Sequence, residues 1–127
     1  MNVVDSSGWI EYLTDGPNAG IFAVPLGHGA GLLVPSILIL EVYRYVLRER
    51  GREAALSVAA TMRQGRVIDL DDGLALEAAE LGASIGLQLA DSIIYATALL
   101  HGATVWTQDA DFEGLEHVEY RPKRGAL

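Results

Sequence analysis

The chain has 127 residues, enough for one domain that buries about two thirds of its unfolded surface. It contains no cysteine, which removes disulfides, thiolate zinc sites and cysteine nucleophiles. Its formal charge of −8 argues against holding nucleic acid through an overall basic field, although divalent cations in an acidic pocket invert the local sign and admit a phosphate. No basic leader followed by an apolar stretch opens the sequence, and no apolar run reaches the roughly 18 residues of a membrane span. The expectation is a single domain over residues 1–127, cytoplasmic and without a membrane partner.

In chain order, residues 2–4 read as a short buried strand, after which Asp5-Ser6-Ser7 offers caps for a helix carrying Trp9, Ile10 and Leu13. The segment 14–20, "TDGPNAG", is a turn, and "GHGAG" at 27–31 lacks the Lys-Ser/Thr of a phosphate-binding loop and reads as a flexible connection. "GLLVP" at 31–35 is the second strand. Ser36 is placed to cap a helix over 37–50, which Gly51 breaks, and a second amphipathic helix covers 52–64. Residues 66–70 form the third strand, followed by a helix over 71–83 with acids in its favourable first turn. A helix containing Asp91, Ser92, Tyr95 and Leu99 stops at Gly102, and strands at 103–107 and 117–121 complete the chain. Short apolar strands alternating with helices predict an α/β fold, a parallel sheet covered by helices on both faces.

Ligands in such a sheet bind outside the carboxyl ends of the strands, where strand order reverses. Asp5 sits just past the first strand, and Thr107 and Asp109 lie at or just past the fourth. If those two strands are neighbours, the acids face one another. Glu41 lies in the otherwise apolar "SILILEVYRYVL", with Arg44 three residues on as its ordinary partner. Asp91 reads locally as a helix N-cap, and Asp109 and Asp111 as turn residues beside a core-anchoring Phe112. The Arg44, Arg48, Arg50 and Arg52 cluster reads as a solvated helix face, and Arg121, Lys123 and Arg124 as a frayed terminus.

Each local reading stands by itself; together they require four coincidences. A group of carboxylates without His or Cys has one natural use, the binding of a hard cation such as Mg²⁺ or Mn²⁺ through oxygen, and a cation so held can activate a water for in-line phosphoryl displacement. His28, His101 and His117 show no ligand spacing. There is no G-x-S-x-G elbow, and Ser7 stands where an aspartyl-phosphate fold would want a second Asp. A non-catalytic binding module and a metal-dependent small-molecule phosphohydrolase are the alternatives to a nuclease.

The segments "VVDSSGWIEYL", "VPSILILEVYRYVL", "LADSIIYATALLHGA" and "VWTQDADF", in this order and spacing, resemble a PIN domain of the VapC toxin type. The resemblance implies a three-layer α/β/α sandwich with a five-stranded parallel sheet in the order 3-2-1-4-5. It implies Asp5, Glu41, Asp91 and Asp109 as the catalytic acids, with Asp5, Asp91 and Asp109 on the metal. Ser6 and Thr107 are supporting groups, and Asp111 is a fifth contributor or a substitute for Asp109. It further implies a Mg²⁺- or Mn²⁺-dependent endoribonuclease that is a homodimer and is inhibited by a VapB-type antitoxin. Arg44 and Arg48, on the Glu41 helix, are candidates for RNA backbone contacts.

Overall fold

The computed structural model describes residues 1–27 and 31–125. Its elements are β1 (Asn2–Val4), α1 (Ser6–Leu13), α2 (Ala19–Leu26), β2 (Leu32–Pro35), α3 (Ser36–Arg50), α4 (Arg52–Met62), β3 (Arg66–Ile68), α5 (Asp72–Ile85), α6 (Leu89–Leu100), β4 (Thr104–Thr107), a single 3₁₀ turn (Ala110–Phe112) and β5 (Val118–Tyr120). The five strands form one sheet in the order β3-β2-β1-β4-β5, and every neighbouring pair is parallel. The chain therefore steps from β1 outward to β3, then returns to lay β4 beside β1. Right-handed crossovers running in opposite directions place their helices on opposite faces, which produces the three layers.

The sheet is short and apolar because both faces are covered. Val3, Val4, Leu33, Val34 and Val105 are fully buried, and Leu38 and Val42 of α3, Phe22 of α2, Ile94 of α6 and Phe112 close over them. Glycine permits two close approaches. A Cβ at Gly8 would strike Val4 and Phe22, and one at Gly82 would strike Ser92, so α1 lies tight on β1 and α5 tight on α6.

Three local expectations change. Helix α2 occupies residues that sequence periodicity left without an element: its apolar residues surround the helix instead of forming a stripe, and Pro25 sits in its last turn. Ser36 is the first residue of α3, not its cap; β2 runs directly into the helix, with Pro35 at the cap position and no side-chain cap bond. Asp91 is not a cap either. Gln88 holds that position, which places Asp91 in the first turn of α6. The supposed loop at 28–30 lies outside the described residues.

Candidate functional site

Asp5 leaves β1 at its carboxyl end, donates its backbone N–H to the Trp106 carbonyl of neighbouring β4 at 3.1 Å, and caps α1. Its carboxylate is nearly saturated. Oδ1 accepts from Ser7 Oγ at 2.6 Å and from the Gly8 N–H at 3.1 Å, and Oδ2 accepts from Thr107 Oγ1 at 2.8 Å. Thr107, buried at the end of β4, accepts the Asp109 N–H at 2.9 Å, and Ser7 Oγ accepts the Gln108 N–H at 3.1 Å. Two hydroxyls thus stitch the ends of β1 and β4 together around one buried acid.

Beside Thr107, the hydroxyl on Asp5 comes from Ser7, which the sequence offered only as a helix cap and as the residue standing where a second Asp would be wanted. Ser6 serves Glu41 instead, its hydrogen bond opposing the rise in that acid's pKa. The missed signal was available: a hydroxyl two residues after an N-cap Asp lies within reach of its side chain.

The other acids arrive from separate elements. Asp91 comes from α6, which is seated by Ser92 Oγ donating to the carbonyls of Gln88 at 2.8 Å and Leu87 at 3.3 Å. Asp109 caps the 3₁₀ turn by accepting the Asp111 N–H at 2.9 Å, and fully buried Phe112 anchors that turn in the core. Carboxylate oxygens of Asp91, Asp109 and Asp111 lie within 4.8 Å of one another. Asp5 and Glu41 stand outside this tight group but interact with it electrostatically.

No cationic side chain pairs with these acids among the described residues. Among the described residues the ion pairs are Arg48–Glu49 and Arg121–Glu119, both solvent-exposed, so the expected Glu41–Arg44 pair is not formed. Glu41 Oε1 is buried without a hydrogen-bond partner. Burial, reinforced by the charges of Asp109, Asp5, Glu41 and Asp111, pushes the Asp91 carboxyl up to about 7. Burial raises Asp5 to about 6 against the pull of Ser7, Thr107 and the Gly8 N–H, with Asp109 adding to the rise. Glu41 is raised as well, first by burial and then by Asp5. Convergent, uncompensated oxygen donors of this kind suit a hard divalent cation, which would neutralise the repulsion and use all-oxygen coordination.

A shallow groove opens beside these acids. Ser6 and Glu41 form one part of its lining, and Arg44, Tyr45 and Arg48 another. The Arg48 guanidinium lies 5.5 Å from the Tyr45 ring centroid and its Nε 3.1 Å from Glu49. His101 is occupied elsewhere, its Nδ1 lying 2.9 Å from the Thr97 carbonyl.

The family model for the PIN domain matches residues 3–118. Among solved structures the chain is similar to one from a toxin–antitoxin complex of Klebsiella pneumoniae, with a TM-score of 0.81 at 21% identity, covering 98% of this chain and 100% of that one. It is also similar to Mycobacterium tuberculosis VapC20, a sarcin–ricin loop cleaving toxin, with a TM-score of 0.77 at 21% identity over 96% and 100% of the two chains. A third likeness is to VapBC2 from Rickettsia felis bound to a DNA fragment from their promoter, with a TM-score of 0.71 at 14% identity over 95% and 97%. At these identities the structural likeness establishes the fold. No curated protein matches the chain.

Proposed function

This chain belongs to the PIN-domain family, matching it over residues 3–118, and from that premise we propose that it is a Mg²⁺- or Mn²⁺-dependent endoribonuclease, the VapC-type toxin of a toxin–antitoxin pair. The observation that carries the reading is the grouping of Asp91, Asp109 and Asp111, electrostatically coupled to Asp5 and Glu41, with none of the five in an ion pair among the described residues. RNA as substrate, a VapB-type antitoxin as partner and a homodimer are carried from the family resemblance, and a cytoplasmic location from the sequence, and all belong to the same proposal. Among the described residues no single helix is long and apolar enough to cross a membrane.

The donor set fits the cation. Asp91, Asp109 and Asp111 would hold it, their oxygens being already grouped within 4.8 Å. Asp5 has three of its roughly four lone-pair positions occupied by Ser7, Gly8 and Thr107, and so would contribute at most one direct bond beside its negative charge. When bound, the divalent ion supplies Lewis acidity, which makes water a competent nucleophile at neutral pH and offsets charge on the phosphoryl oxygens. Glu41, which lines the adjacent groove, would orient the attacking water by accepting its hydrogen bond. Arg44 and Arg48 line the adjacent groove and hold the flanking RNA phosphates.

Cleavage of structured RNAs and of mononucleotides by the purified protein tests the proposal. RNA cleavage should vanish in EDTA and return with Mn²⁺. Turnover of mononucleotides alone would favour a small-molecule phosphohydrolase, and metal-independent capture of a partner without cleavage would favour a binding module.

A further inference from the structure

Behind the acids lies a buried polar tie that none of the roles above uses. Asn18 is 1% exposed and stands at the N-cap position of α2, where an Asn ordinarily accepts a backbone N–H of the helix. It does not do so here. Its Nδ2 donates instead to Gln108 Oε1 at 3.0 Å and to the Pro122 carbonyl at 3.1 Å, and its own backbone N–H donates to Oε2 of buried Glu11 at 2.8 Å. Oδ1 is left buried without a partner. A local cap has been given up for a tertiary tie, at the expense of an orphaned acceptor.

The direction of the tie follows from its chemistry. A carbonyl only accepts, so the Asn18 atom facing Pro122 must be Nδ2, and Gln108 must then present Oε1 to the same amine. Both amides are therefore oriented by the segment after β5. That segment is itself held by the Arg121 N–H donating to the Thr107 carbonyl at 2.9 Å. The frayed terminus expected from its composition is pinned at least as far as Pro122.

Gln108 lies between Thr107, which holds Asp5, and Asp109. Ser7 grips its backbone from one side and Asn18 its side chain from the other. Mutual repulsion pushes the carboxylates of Asp91, Asp109 and Asp111 apart whenever the cation is absent, and the chain carrying two of them must resist. Resting on the metal-site reading above, we propose that Asn18 is a positioning residue: through Gln108 it keeps Asp109 and Asp111 facing Asp91 before the cation arrives, with the Pro122 carbonyl as its reference point.

The test uses Asn18→Ala and Gln108→Ala, singly and together, in the full-length protein. Amide hydrogen exchange without metal should speed up at Asp109 and Asp111 while the amides of β1 and β4 stay as protected as in the wild type. Mn²⁺ affinity should fall by about tenfold, the scale of losing an outer-shell support. In RNA cleavage kcat should drop at limiting Mn²⁺ with KM for RNA unchanged, and excess Mn²⁺ should restore it. The double variant should be no worse than either single one, because both cut the same tie. If Asn18→Ala fails to fold, Gln108→Ala, whose side chain is only half-buried, gives the same readouts. Wild-type exchange and Mn²⁺ affinity in a folded Gln108→Ala would overturn the inference. Failure of the wild type itself to bind Mn²⁺ or cut RNA would instead overturn the function proposed above, while the exchange comparison still decides the tie.

Discussion

Two concave regions of this molecule differ in nearly every respect. Between α5 and α6 lies a groove of about 500 Å³ lined by Leu70, Ala75, Ala79, Ala83, Leu87 and Leu89, with no charged side chain on its walls. At the carboxyl ends of β1 and β4 the surface is less hollow but holds five acids, two of them pushed to about 6 and about 7. Volume and apolarity mark the first region and electrostatic tension the second. Like charges converge at a cost to folding, and a fold that keeps them together has a use for them that packing alone does not explain.

The sharpest way to break the contrast is Asp91→Asn. RNA cleavage in Mn²⁺ should fall by about two to three orders of magnitude, the range for losing one preorganised electrostatic group. The same variant in EDTA should melt higher than the wild type, since a crowded, half-buried charge has been removed. Cleavage at the wild-type rate would remove the chemical distinction between the two regions. Thr107→Val comes next, because it strips Asp5 of a donor and leaves the Asp109 N–H without its acceptor. Urea unfolding should show a loss of about 1–3 kcal/mol, and Thr107→Ser should recover most of it.

Acidity offers a third and smaller effect. Asp5 and Asp91 have folded pKa values of about 6 and about 7, above their ordinary 3.8, so between those limits the folded chain binds more protons than the unfolded one. Their contribution to stability is fully present below 3.8 and is lost as pH rises through about 6 and 7. Thermal melts in EDTA should show this decline over that window. Mn²⁺ affinity should rise over it, because the ion displaces those protons. Last, Leu89→Ser, at a side chain 81% exposed in the apolar groove, should change stability by no more than about 0.5 kcal/mol and leave cleavage unchanged. A large loss of cleavage there would show that the two regions are coupled.

Much of this was legible before the structure. The alternation of strands and helices, the turn at Gly51 and the burial of Phe112 follow from neighbouring residues, whose period and backbone preferences act locally. The odd placement of Asp5, Glu41, Asp91, Asp109 and Asp111 was legible too, because an acid among apolar residues needs a reason wherever it lies. Helix α2 was hidden, since it is apolar on every face and has no stripe to read, although only Phe22 and Pro25 of it are buried. Asn18 was hidden as well, its composition being that of any turn.

The strand order was supplied by family resemblance, and no periodicity in the chain contains it. By itself the sequence determined which segments other than α2 are strands and helices and which acids are misplaced, because those are properties of short stretches. Only the tertiary structure decided that Thr107 donates to Asp5 across 102 positions, that Ser7 and not Ser6 joins it, and that Asn18 holds Gln108 to Pro122. Such meetings depend on which way each crossover turns and on which strand lies beside which, and that choice is made by packing the whole sheet at once.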